Sequence, residues 1–477
     1  MKHRLSLYIY LLALVGLTLN SCKSLDTSVS VPKRNLPGTF AGQYDSASVA
    51  SVNWRQYFAD SALVSLIDTA LTHNIDLQIA LQRIEIFRSN IRFAKGAMLP
   101  QAGLAVAGGV RKFGLYTMDG AGNITTEITP GQIVPTHLPD LYVGLQASWE
   151  IDIWGKLKNQ RQSAVVQYLA SVEGKNFVLT NLIADIAISY YELLSLDNEL
   201  EITQQTIQKQ KEAVEAVKTL KDAARENQLA VHQFNAQLLN TQALEREILQ
   251  QIVETENRIN FLLGRFPQSA PRQKESLFRQ STQTLSAGIP SQLLLNRPDI
   301  REAELQLKAS QLDLQSARKS FLPSFSITGG YGFQAFKPEF LFTMPASIAY
   351  SALGNLVTPL VNRNALKAQF TTAKAIQVQA MYVYQQAILN GYTEVVNELS
   401  NINNLKEILV FKQQQADALL QSVETSTELY KSGRASYLDV LIAQQNSLQT
   451  QLDVISTNKR QRIASINVYR ALGGGWK

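Results

Sequence analysis

The sequence predicts a mainly α-helical chain that also supplies strands to a transmembrane β-barrel, built as a duplicated helix–strand–helix unit with very long coiled-coil helices. Three observations lead there. Residues 140–266 and 360–477 contain no proline, and an interior proline costs a helix about 3 kcal/mol. Four segments of roughly ten residues alternate apolar with small or polar side chains, the pattern of strands that face lipid on one side. The landmarks of the first half then return in the second at the same spacing, the mark of a repeat.

From the start, Lys2, His3 and Arg4 precede an apolar run from Leu5 to Leu19. Residues 1–21 therefore read as a signal peptide, too short for a transmembrane helix. The one cysteine, Cys22, ends Leu19-Asn20-Ser21-Cys22, which resembles a bacterial lipobox. That resemblance implies diacylation of Cys22, and Lys23 in place of aspartate implies sorting to the outer membrane. An uncleaved anchor with an idle thiol is the alternative. Residues 22–58 read as a lipidated tether.

Composition excludes several classes. Apolar residues make up 45 % and charged residues 18 %, so the chain does not belong with disordered charged tails. One cysteine gives neither a disulfide framework nor a thiolate zinc site. His3, His73, His137 and His232 are far apart in sequence, so no histidine metal centre is expected, nor any cofactor. The net charge of +6 forms no clustered basic stripe, and no nucleic-acid partner is expected. With no phosphate loop, nucleophile elbow or paired metal ligands, the chain reads as no enzyme.

In the long helices, Ile248, Ile252, Thr255, Ile259 and Leu262 form a ladder of threes and fours, and Leu441, Gln445, Leu448, Leu452 and Ile455 form another. This is a coiled-coil seam. A single helix from Gly155 to Ala224 would reach roughly 100 Å at 1.5 Å per residue.

The strands are expected at about 101–113, 140–151, 324–336 and 346–358. In one of them Leu141, Val143, Leu145 and Trp149 alternate with Tyr142, Gly144, Gln146 and Ser148. Two soluble hairpins would show the same alternation. Four strands cannot close a barrel, and an open edge in lipid leaves backbone groups unpaired. Membrane strands here require pooling, and an open lumen requires more than two copies.

The repeat is explicit. Asp76, Ala80, Ala94 and Leu99-Pro100 are spaced as Asp299, Ala303, Ala317 and Leu322-Pro323 are; Ala224-Arg225…Leu229 matches Gly433-Arg434…Leu438. The expected layout is a first repeat at 59–265, a linker at 266–292, a second repeat at 293–472 and a tail at 473–477.

The chain resembles the TolC-like outer membrane efflux proteins (outer membrane factors), in their lipid-anchored branch. The resemblance rests on Ser148-Trp149-Glu150-Ile151-Asp152-Ile153-Trp154-Gly155-Lys156-Leu157, on Leu294-Leu295-Asn296-Arg297-Pro298-Asp299-Ile300, on Leu429-Tyr430-Lys431-Ser432-Gly433 with Tyr437-Leu438-Asp439-Val440-Leu441, and on the ending Tyr469-Arg470-Ala471-Leu472-Gly473-Gly474-Gly475-Trp476. It implies a homotrimer with a twelve-stranded barrel and a periplasmic helical barrel. It also implies passive export of small molecules in a tripartite system, with a periplasmic adaptor (membrane fusion) protein and an inner-membrane pump as partners. The alternatives are a protein-secretion duct and a lipid-anchored coiled-coil scaffold without a pore.

By the same resemblance, Tyr430, Gly433, Arg434, Ala224 and Arg225 lie at the periplasmic tip where the adaptor docks. A helix stop alone also explains Gly433. Asp439 matches an acidic position that constricts the tunnel mouth, while Ser436 and Asp439 equally read as a capping box. Arg297-Pro298-Asp299 reads as a helix start.

Overall fold

The computed structural model describes residues 36–40, 48–278, 286–360 and 363–477. Cys22, the signal peptide and the first part of the tether lie outside the described residues. In chain order the principal elements are α1 (Ser61–His73), α2 (Ile75–Gly96), β1 (Gln101–Arg111), β2 (Leu138–Ile151), α3 (Lys156–Asp222), α4 (Gln228–Leu262), α5 (Pro298–Lys319), β3 (Ser324–Ala335), β4 (Ile348–Val357), α6 (Asn364–Lys431) and α7 (Tyr437–Ala471). Duplication is visible in the lengths. Helices α2 and α5 have 22 residues each, α3 and α6 have 67 and 68, and α4 and α7 have 35 each.

The chain divides into two compact units. One comprises Arg88–Gln167 and Leu307–Met381 and holds the strands in an antiparallel sheet of order β1-β2-β3-β4. Its register puts Leu104, Leu145, Tyr331 and Tyr350 in one row, and Val106, Val143, Phe333 and Ile348 in the next row of that face. The intervening rows are Gly103, Gln146, Gly330 and Ser351, then Ala105, Gly144, Gly332 and Ala349. Period-two alternation thus builds one apolar face and one small, polar face. On the polar face Gly144 and Gly332 pack so closely that a Cβ on either would lie within 2.5 Å of the other's Cα. Leu104, Val106, Val110, Tyr331, Tyr350 and Leu356 are all exposed, an apolar area too continuous for a water-facing surface.

The other unit comprises residues 36–87, Tyr168–Gln306 and Tyr382–Lys477. Its core joins Leu63 and Ile67 of α1, Ile186, Tyr190 and Leu193 of α3, Ile259 of α4, Val395 and Leu405 of α6, and Ile466 and Val468 of α7. Helix α3 contains a window apolar enough to cross a membrane, but 56 % of that window is buried in the protein, so its apolar residues serve packing. The α4 ladder is buried from Ile248 through Ile259. The α7 ladder holds in part. Leu448 and Ile455 are buried and Leu441 and Leu452 half-buried as expected, Gln445 is exposed, and the small residues Ala443, Ser447 and Thr450 are buried beside them with Val440.

Part of the stretch read as a tether is packed here. Phe40, Trp54 and Phe58 are buried. Tyr57 stacks on Tyr469 at 4.2 Å and donates its hydroxyl to the Ser465 carbonyl at 2.8 Å. Aromatic side chains gain about 1.5–3 kcal/mol each on full burial, so these residues dock and do not trail. The described part of 266–292 is pinned as well: Arg272 donates to both oxygens of Asp197 at 2.6 and 3.1 Å and also to Glu256.

Candidate functional site

The two long helical hairpins end in turns of the same design. After α3, Ala224 takes φ +55° and the N–H of Arg225 returns to the Leu220 carbonyl at 2.9 Å. After α6, Gly433 takes φ +72° and the N–H of Arg434 returns to the Leu429 carbonyl at 2.8 Å. Both are left-handed helix ends that satisfy orphan carbonyls. Alanine pays roughly 1–2 kcal/mol for that conformation, so the first turn is strained where the second is not. Asn227 opens α4 by accepting from the Ala230 N–H at 2.9 Å, and Ser436 opens α7.

Under the turns, Ile207, Val214 and Val217 of α3 pack on Phe234 and Leu238 of α4 and Val440 of α7. Tyr430, Tyr437 and Leu441 lie against this cluster. Burial, reinforced by the Glu226 carboxylate facing it from the first turn, pushes the Tyr430 phenol above its usual range, so it stays neutral at physiological pH. Arg225, Arg434, Leu229, Leu438 and Ile442 are exposed on the same tips. Asp439 is exposed too, and its carboxylate accepts from the Ser436 N–H. Of the residues singled out by sequence, Ala224, Arg225, Tyr430, Gly433, Arg434 and Asp439 all fall in or next to the two turns.

Gln210 was not legible as special. It occupies the seam position in Ile207, Gln210, Val214, Val217, is 2 % exposed, and neither end of its amide has a hydrogen-bond partner. The available signal was a polar residue in a three-four-three ladder. Arg297 is structural in its contacts. At 5 % exposed, it donates to Asp299 at 3.0 and 2.7 Å, to Glu394 at 2.7 Å and to the Ala471 carbonyl at 2.9 Å. Asn74 repeats the last contact in the first half, donating to the Leu262 carbonyl at 2.8 Å. Among the described residues no three His, Cys, Asp or Glu side chains converge to hold a metal.

A sheet with one lipid-compatible face, on a chain with two coiled-coil hairpins that end in paired turns, defines a channel protein of the outer membrane. The chain belongs to the outer membrane efflux protein family, whose pattern matches residues 66–265 and 289–474. Cation efflux system protein CusC of Escherichia coli (strain K12) is 28 % identical over 469 residues, covering 97 % of this chain and 98 % of that protein. The solvent efflux pump outer membrane protein SrpC of Pseudomonas putida is 28 % identical over 444 residues, covering 92 % and 91 %. Among solved structures, the open-state MtrE outer membrane channel of Neisseria gonorrhoeae superposes with a TM-score of 0.80 at 24 % identity, covering 94 % of this chain and 98 % of that one.

Proposed function

We propose that three copies of this chain pool their sheets into one twelve-stranded barrel and their long helices into one periplasmic tunnel. The assembly conducts exported small molecules passively, fed by a periplasmic adaptor and an inner-membrane pump, with no catalytic step of its own. The observation that carries this reading is the four-stranded sheet, whose apolar face is exposed and whose β1 and β4 are both edges. In lipid such edges must pair with another copy.

In this reading Cys22 bears the lipid at the head of the N-terminal stretch 22–58, whose last residues dock on the helices through Trp54, Tyr57 and Phe58. The repeats 59–265 and 293–472 form the conduit, 266–292 joins them, and 473–477 is the tail. Tyr430, Gly433, Arg434, Ala224 and Arg225 meet the adaptor. Asp439 contributes to a ring of three carboxylates at the tunnel mouth, where mutual repulsion favours a bound cation. The relatives are named for cation and for solvent efflux at the same identity, and cargo selection falls to the pump.

The test is native mass spectrometry of the mature protein extracted from outer membranes, followed by bilayer recording. Three acylated protomers with steady ionic current support the reading. A monomer or dimer that stays soluble once detergent is removed overturns it in favour of a scaffold.

A further inference from the structure

The strand-bearing unit is strongly asymmetric in charge. All four strands leave the sheet at one end toward helices: Ile151, Ser324 and Val357 lie within one residue of each other in register, and Gln101, opposite Ser148, begins three residues short of Ile151. Within ten residues of those strand ends, α2 brings Arg92 and Lys95, and the start of α3 brings Lys156, Lys158 and Arg161. The end of α5 brings Arg318 and Lys319, and the approach to and start of α6 bring Arg363 and Lys367.

The carboxylates nearby are already committed. Asp152 accepts from the N–H groups of Leu157 and Lys158 at 3.0 and 2.7 Å, capping α3, and Glu150 pairs with Lys156 at 2.5 Å. Arg92, Lys95, Lys158, Arg161 and Lys367 are exposed. At the other end of the sheet the same distance from the strands holds Lys112 and Lys337 against Asp119 and Glu339, a balanced set.

The basic end also carries rings suited to a membrane boundary. Trp149 donates its indole N–H to the Met98 carbonyl at 2.9 Å, and Trp154 donates to the Pro323 carbonyl at 2.7 Å, while both rings stay partly open to solvent. Phe93, between Arg92 and Ala94, is 81 % exposed. Amphipathic aromatics settle at the headgroup level, which places the basic residues at or just beyond the lipid phosphates.

From this juxtaposition we infer that the helix–strand junction is a binding belt for anionic phospholipid headgroups of the periplasmic leaflet. The inference rests on the outer membrane reading of the sheet. Basic side chains near an anionic bilayer surface attract it cumulatively, within a Debye length. The belt fixes the depth of the sheet in the membrane and selects the lipid around it.

The experiment uses the full-length assembly, exchanged into phosphatidylethanolamine with a minor fraction of phosphatidylglycerol, with retained lipid counted by native mass spectrometry. Wild type is expected to retain phosphatidylglycerol above its bulk share. The variant Arg92→Gln/Lys95→Gln/Lys158→Gln/Arg161→Gln should lose that enrichment by about tenfold, whereas Lys112→Gln/Lys337→Gln should keep it. Enrichment that persists in the fourfold variant, or that vanishes only with Lys112 and Lys337, overturns the belt. If the fourfold variant does not assemble, the wild type at about 0.5 M salt answers instead: screening should abolish the enrichment, and enrichment insensitive to salt overturns the belt. An inserted assembly with no lipid preference overturns the belt alone. A protein that never inserts overturns the outer membrane reading beneath it.

Discussion

The Asp439 carboxylate accepts a 2.9 Å hydrogen bond from the backbone N–H of Ser436, completing a reciprocal capping box at the start of α7. Capping and gating make different demands on that carboxylate, so they separate by substitution. Ser436→Ala removes the cap alone and should cost about 1 kcal/mol while leaving channel current unchanged. Asp439→Asn keeps the size but deletes the charge, and should raise conductance and weaken its dependence on divalent cations. Bilayer recording beside thermal melting checks both; an Asp439→Asn channel with wild-type current and cation dependence would restrict this residue to capping.

Gln210 carries a second trade. Buried at a seam position without a hydrogen-bond partner, each amide group left unmade costs about 1–3 kcal/mol. A polar residue in a coiled-coil seam fixes register at the expense of stability. Gln210→Leu should therefore stabilise the protein by about 2 kcal/mol in denaturant titration. It should also lower the open probability, because Ile207, Val214 and Phe234 would grip the tip more firmly. A destabilised Gln210→Leu protein would mean that the amide finds a partner in the assembly.

The glycines after the helices rank by what surrounds them. A Cβ on Gly264 would lie 2.4 Å from the His73 carbonyl oxygen, and one on Gly473 would lie 2.5 Å from that of Asn296. Gly433 has open space around it and only its positive φ to satisfy. Gly264→Ala and Gly473→Ala should each cost roughly 2–4 kcal/mol, combining backbone strain with overpacking, and Gly433→Ala about 1 kcal/mol. Ala224→Gly should gain up to about 1 kcal/mol by removing strain already present. Melting temperatures of the four variants give the order directly.

What the sequence disclosed follows from which interactions are local. Helix lengths were legible because proline is missing and apolar spacing is regular, and the sheet faces were legible because alternation at Leu141–Trp149 has period two. The α7 seam is legible at Leu448 and Ile455 but not at Gln445, since the burial of the small residues Ala443, Ser447 and Thr450 depends on how closely a neighbouring helix approaches. The tip turns were found from Gly433 and the Ser436–Asp439 pair, both local signals. In the sequence Arg297 shows only as a helix start, because its hold on Glu394 and the Ala471 carbonyl joins residues far apart in the chain. The docking of Trp54 and Tyr57 is hidden from the sequence for the same reason: Tyr57 meets Ser465 and Tyr469.

The two faces of the sheet give the sharpest test of the membrane reading. Val106 lies at the middle of β1 in an apolar row with Val143, Phe333 and Ile348. Thr328 of β3 lies on the opposite face, in register with Ser148 and Leu353. An arginine facing lipid at the bilayer midplane costs about 2–4 kcal/mol in a barrel, whereas lumen positions tune selectivity. With several copies pooled, that cost recurs in every copy. Val106→Arg should therefore abolish membrane-assembled protein, read as loss of heat-resistant oligomer in outer membrane fractions. Thr328→Arg should assemble normally and shift the ion selectivity of the current toward anions. Equal tolerance of both substitutions would mean that the apolar face meets protein instead of lipid.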